Sequence, residues 1–255
     1  MTNSLLTKQN ENHLFHTFGN TLKPQIEDLL SLGCSAGADL IEIFLEKSDN
    51  ISLLAEQDDI SNVSPSFGIG AGIRVFLGKK DGFVSTNDLS KEGLLFALNQ
   101  ALRMLGLTIG SNNCVKFDGL ADLKDFGQYK NDWLVNSPDL NESTSKLLDA
   151  TKSLSHKNKN LQVRRASYSR NWQEVLVAAS DGVFARDIRL HQTVGINVIA
   201  QKDQNRSTSA RRYGSSGNPN DLRDWDIDQS ASDLNESAQK MLFAEYVEAG
   251  QMPVV

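Results

Sequence analysis

Hydrophobic and polar positions alternate along this chain in two registers, one helical and one extended. Near Pro24, which suits a first helical turn, Ile26, Leu29 and Leu30 form an apolar stripe that Gly33 or Gly37 is placed to end. In Leu40-Ile-Glu-Ile-Phe-Leu-Glu46, the residues Ile41, Ile43 and Leu45 alternate with Glu42 and Glu46, which predicts a strand with one buried face. Ile51 to Ala55 and Asp59 to Val63 read as the next two strands, with Ser64-Pro65-Ser66 as a break. Ile73, Val75 and Leu77 then alternate, and Lys80-Asp81-Gly82 turns into Phe83-Val84, a β-hairpin. From Ser90 to Leu105, Leu94, Leu98, Ala101 and Leu105 recur at helical spacing.

Residues 108–136 are rich in Asn, Asp and Gly and read as a linker with one short element at most. Ser137-Pro138 has the form of an N-cap with proline at the first helical position, and Leu140, Leu147, Leu148 and Leu154 carry that helix to about Lys157. Four strand-like runs follow at Gln162–Arg170, Trp172–Ala179, Val183–Gln192 and Val194–Gln201, with Ser207–Tyr213 as a fifth. Asp181-Gly182 between two of them is a hairpin signal. No helix follows each strand, so the pattern is an antiparallel meander and not a parallel sheet. A helix is expected from about Gln229 to Ala249, with Leu234, Ala238, Met241 and Leu242 periodic and Gly250 as its stop. Val254-Val255 is an apolar, β-branched ending. It reads either as the first residues of a strand that continues elsewhere or as a short tail tucked against an edge.

The composition adds limits. The 255 residues carry a net charge of −6, which argues against a long anionic polymer or an anionic membrane face as the main partner. Two cysteines, Cys34 and Cys114, cannot build a disulfide scaffold and read as reduced thiols of a cytoplasmic protein. No apolar run reaches the roughly 18 residues of a membrane span, and the polar start, residues 1–23, lacks a signal peptide's apolar middle.

Chemistry is sparse. Gly68, Gly70 and Gly72 suggest a phosphate loop, but that needs a helix N-terminus after the glycines, and a strand follows them. The glycines are expected to mark bulges or close backbone approach in the hairpin. His13 and His16 stand one turn apart in a polar tail without further ligands, His156 suits a helix C-terminus, and His191 lies on a strand. Arg164-Arg165 and Arg211-Arg212 each place one arginine on either strand face, which fits surface pairing. Trp133, Trp172 and Trp225 are too far apart for a stacking platform. No catalytic, cofactor-binding or metal-ligating residue is assigned.

Several short motifs, in order, resemble the TldD/PmbA family. They are Gly37-Ala38-Asp39 running into the Leu40–Glu46 strand, Gly70-Ala-Gly-Ile-Arg-Val75, Gly82-Phe-Val-Ser-Thr86, Ala179-Ser-Asp-Gly182, and Ala249-Gly-Gln-Met-Pro-Val-Val255 after a long helix. The Met-Pro-Val-Val ending is similar to the TldD branch. The resemblance covers residues 24–255 and implies the amino-terminal and middle regions of a zinc-dependent peptidase that acts on unfolded or modified peptides with a PmbA-like or TldD-like subunit. The family's His-Glu-x-x-x-His motif would fall just beyond Val255, so the resemblance places zinc in a missing carboxyl-terminal domain and none in this chain.

The expected fold class is α+β: an amino-terminal helix/strand domain with a β-hairpin (24–107), a linker (108–136), and a mostly antiparallel β-meander domain flanked by helices (137–249). Residues 250–255 would begin the missing metal domain. Alone, the chain is expected to be inactive. The alternative is a stand-alone, non-catalytic binding or assembly module of a TldD/PmbA-like complex. Neither reading involves nucleic acid or a membrane.

Overall fold

The computed structural model describes residues 18, 20–110, 116–126, 140–157, 161–216, 225–245 and 249–253. The elements in chain order are α1 (Lys23–Ser35), β1 (Leu40–Glu56), β2 (Asp59–Leu77), β3 (Lys80–Thr86), α2 (Lys91–Met104), β4 (Lys124–Asp125), α3 (Leu140–Lys157), β5 (Leu161–Ala179), β6 (Phe184–Lys202), β7 (Asn205–Ser216) and α4 (Ile227–Leu242). The fold class is α+β, as the periodicities imply. Strand neighbours run β3-β2-β1-β5-β6-β4, and β7 also pairs with β6. The β2–β3 and β6–β7 pairs are antiparallel, whereas the two-residue β4 runs parallel to β6, with Asp125 opposite Arg186.

Two compact units each draw on three stretches of chain: residues 1–49, 67–128 and 172–189 in the first, and 50–66, 129–171 and 190–255 in the second. In the first unit, helices α1 and α2 cover one sheet face. Leu30, Leu98 and Leu102 bury against Ile41, Ile43 and Ile73, and each such side chain contributes roughly 1.5–3 kcal/mol. Of the two glycines placed to end α1, Gly37 follows the C-cap Ala36 with φ +100°, whereas Gly33 lies inside the helix, where a Cβ would collide with the Ile41 side chain. Ser90 caps α2 by accepting from Gly93 N–H at 3.1 Å. In the second unit, Leu147 and Leu154 of α3 and Leu234 and Ala238 of α4 pack on Leu53 and Ile196. Asp226 caps α4 by accepting from Gln229 N–H at 2.8 Å.

The strands are longer than the sequence pattern suggests. The runs at 40–46 and 51–55 are one strand, as are 162–170 with 172–179 and 183–192 with 194–201, the last beginning one residue later, at Phe184. Ser64-Pro65-Ser66 does not interrupt β2. β3 pairs only with residues 71–77 of β2, so Pro65 lies beyond its register, where the missing N–H can face solvent. The Asp181-Gly182 turn is a four-residue connection, Ser180 to Val183. Ala179 N–H donates to the Val183 carbonyl at 2.9 Å, and Gly182 takes φ +100°. Helix α4 starts at Ile227 and stops at Leu242, well short of Gly250, and Met241 faces outward at 55% exposure. Met252 and Pro253 are exposed and in no regular element, while Ser137, Pro138, Val254 and Val255 lie outside the described residues.

Candidate functional site

The inward positions of β1 run Ile41, Ile43, Leu45 and then, at the same spacing, Lys47, which is 7% exposed. On β5 and β6 of the same unit, the inward positions next to Leu176 and Phe184 are occupied by Glu174 and Arg186. Arg186 Nε donates to Glu174 Oε1 at 2.7 Å, and its Nη1 reaches Asp125 Oδ2 at 3.4 Å. An ionic cluster of Lys47, Glu174, Arg186 and Asp125 thus interrupts an otherwise apolar face. Burial pushes the Lys47 ammonium below the ordinary lysine range. The Glu174 carboxylate opposes that shift and Arg186 adds to it. The Lys47 Nζ also lies 4.4 Å from the centre of the Phe18 ring, a cation–π arrangement.

Two concavities flank β1 of this unit. The first, about 260 Å³, has hydrocarbon walls from residues such as Leu22, Leu45, Ile69 and Leu94, with Gln25 and Lys47 as its nitrogen-bearing residues. The second, about 310 Å³, is a groove on the opposite sheet face, bounded by Phe44, Glu46, Phe83 and Asn87. Its floor is Gly68, Gly70 and Gly72. A Cβ on Gly72 would sit 3.0 Å from the Phe83 ring, and one on Gly70 would sit 3.1 Å from the Thr86 carbonyl. These glycines therefore serve close approach, with the Phe83 ring lying over a bare backbone. Arg74, opposite Phe83 in the ladder, holds its guanidinium 5.8 Å from the Phe83 and Phe76 ring centres.

The residues weighed from sequence are scattered. His191 is exposed on β6, with Nδ1 3.1 Å from Ser216 Oγ. The His156 side chain, His13, His16, Cys114 and Trp133 lie outside the described residues. Arg164 pairs with Asp58 at 3.0 Å, and Arg165 grips Glu56 at 2.9 and 3.2 Å, so this pair forms ordinary ion pairs. Trp172 is buried, and Trp225 tilts against Tyr213 at 5.4 Å. Cys34 is a buried free thiol; burial raises its pKa and a hydrogen bond with Ser180 opposes the rise. Among the described residues, no three His, Cys, Asp or Glu side chains converge as metal ligands. Sequence reasoning missed Lys47, Glu174, Arg186 and Gln25. Extending the period of two from Leu45 places Lys47 inward, and this was the available signal.

The motif order finds its counterpart in known families. Residues 41–105 match the family model described as PmbA/TldA metallopeptidase domain 1, and residues 133–242 match the PmbA/TldA metallopeptidase central domain. The chain belongs to the PmbA/TldD family. The first match runs from β1 to the end of α2, and the second ends with α4. Similar solved structures include a candidate DNA gyrase modulator from Thermotoga maritima, with TM-score 0.67 and 15% identity, covering 90% of this chain and 50% of that one. A candidate DNA gyrase modulator from Bacteroides thetaiotaomicron aligns with TM-score 0.66 and 14% identity over 92% and 53% of the two chains. TldE from Thermococcus kodakarensis aligns with TM-score 0.55 and 20% identity over 86% and 48%. The present PmbA/TldD chain spans about half the length of these structures, and at such identities the likeness is one of fold.

Proposed function

We propose that this chain supplies the amino-terminal and central domains of a TldD-type zinc-dependent peptidase acting on unfolded or modified peptides, together with a PmbA-like or TldD-like subunit in the cytoplasm. The observation that supports this reading is the pair of metallopeptidase-family matches in order along the chain, combined with coverage of only half of the similar structures. Tetrahedral zinc takes three or four converging His, Cys or carboxylate ligands, and the described residues do not supply that set. Their contribution is to hold peptide: the groove floored by Gly68, Gly70 and Gly72 offers an extended segment an apolar seat between Phe44 and Phe83.

The test is co-expression of this chain with a polypeptide carrying a His-Glu-x-x-x-His motif from the same genome, followed by a peptide-cleavage assay with and without chelator. Chelator-sensitive cleavage that requires both polypeptides is the expected result. Chelator-resistant cleavage by residues 1–255 alone refutes the reading.

A second reading, a non-catalytic assembly module, draws on the fact that each unit buries an apolar core built from this chain's own residues. It predicts a stable, monodisperse protein that binds a family subunit without conferring cleavage.

A further inference from the structure

We infer that the 310 Å³ groove bounded by Phe44 and Phe83 is a cation site that takes the lysine side chain of an extended peptide segment. The inference rests on the reading of this groove as a seat for peptide and names the side chain it selects.

Charge points that way first. Glu46 is the one charged residue among those lining the groove, and no Lys, Arg or His lines it. On β1 it takes an outward position between Phe44 and Ser48, which line the groove with it. Among the described residues its side chain accepts one hydrogen bond, at Oε1 from Gln173 Nε2 at 2.9 Å, and makes no ion pair. Arg74 stands 5.8 Å from the Phe83 ring centre, but its charge is met by Asp81 at 3.3 Å. The glycine floor leaves room for neutral oxygens beside the carboxylate. A Cβ on Gly68 would meet Ser48 Oγ at 2.8 Å, and one on Gly70 would meet Asn87 Oδ1 at 3.1 Å.

An ammonium fits this set better than a guanidinium. Its three hydrogens fan out to separate acceptors. A guanidinium binds most strongly as a fork on both oxygens of one carboxylate, and Gln173 already engages one oxygen of Glu46. The methylene stem of lysine lies along the Phe44 and Phe83 rings, which are 39% and 52% exposed, and an aromatic face itself attracts a cation. A free α-amine lacks that stem.

The probes are capped peptides, acetyl-Thr-Ala-Thr-X-Thr-Ala-Thr-amide, with lysine, acetyl-lysine, norleucine or arginine at X, titrated into the full chain by calorimetry. The lysine peptide is expected to bind saturably, about tenfold or more tighter than the acetyl-lysine and norleucine peptides, with arginine between. This comparison needs no protein variant. Glu46→Gln keeps an acceptor for Gln173 and removes the charge, so it should lower lysine-peptide affinity about tenfold and leave the norleucine peptide unchanged. If all four peptides bind alike, if arginine binds tightest, or if Glu46→Gln binds lysine as the parent does, the cation site is refuted while the groove remains a seat for peptide. If no peptide saturates, both readings of the groove fall, and the co-expression assay judges the peptidase reading separately.

Discussion

Glu174 and Arg186 face one another from neighbouring strands, with Oε1 and Nε 2.7 Å apart and side chains only 1% and 12% exposed. Two charges taken this far out of water depend on each other. Removing one strips the other of its shorter, more buried contact, which costs more than the pair itself contributes. Glu174→Ala leaves Arg186 with the longer Asp125 contact at 3.4 Å and close to the Lys47 charge, and the loss should be about 3 kcal/mol in urea unfolding. Replacing both partners with methionine should recover most of that stability, because apolar side chains of similar volume fill the space without a desolvation cost. A single alanine variant that unfolds at the parent's urea midpoint would mean that the pair is hydrated in solution.

Gly182 takes φ +100° in the β5–β6 connection, and a Cβ there would meet only ordinary contacts, the nearest being the Gly119 carbonyl at 3.7 Å. The penalty for a side chain is thus one of backbone conformation. Gly182→Val should cost about 1–2 kcal/mol, and Gly182→Asn clearly less, because asparagine tolerates the left-handed region. Thermal unfolding of the two variants side by side gives the comparison; equal melting temperatures would contradict it.

At Gly82 the limit is space. Its Cβ would approach the Ala101 carbonyl oxygen of α2 to 2.5 Å, a backbone atom that cannot rotate away. Gly82→Ala should therefore push β3 from α2 and cost about 1–3 kcal/mol. Gly78→Ala, with open space around it, tests backbone strain at φ +60° alone. Loss of hydrogen-exchange protection along β3 in the Gly82 variant, and not in the Gly78 variant, is the expected signature.

Burial raises the pKa of the Cys34 thiol above its ordinary value, so the folded state holds that proton more tightly than the unfolded chain does. The sign follows from linkage. The contribution is fully present below the unfolded thiol pKa of about 8.5 and is lost as pH rises through the folded value. In a Cys114→Ser background, stability should fall across that alkaline window, and Cys34 should resist a thiol reagent until the protein unfolds. Rapid labelling of the native protein would overturn this.

Much of the fold is legible in the sequence. The stripe of Leu94, Leu98 and Ala101 and the alternation of Ile73 with Val75 mark α2 and the first-unit sheet, because burial on one side leaves a clean period. The pattern breaks β1 where Lys47 interrupts its apolar inward row, because hydrophobic patterning does not follow a strand through a buried charge. It breaks β5 at the exposed Asn171 instead, while Glu174 falls inside the second of the two runs, where one buried carboxylate among apolar neighbours leaves no signal of the ion pair it makes. The Gln25 pocket was invisible for another reason: it is assembled from α1, β1, β2 and α2, and no local spacing joins those residues. Helix α4 stops at Leu242 because its C-cap Phe243 and the next two residues, Ala244 and Glu245, lie exposed, with no buried position to continue the apolar stripe.

Each unit is composed of three separated stretches, and β1, β2, β5 and β6 contribute residues to both. Residues far apart in the chain must therefore meet before either core can close: Gln57 N–H, for example, bonds to the Arg164 carbonyl at 2.9 Å, across more than a hundred intervening positions. The entropy of closing such loops comes due before the contacts repay it, which makes assembly of this chain slow compared with a helical bundle of the same size. It also means that no single cut yields a self-sufficient fragment. During synthesis, neither core can form until β5 and β6 have emerged, and the amino-terminal strands must wait in a partly open state for residues more than a hundred positions downstream.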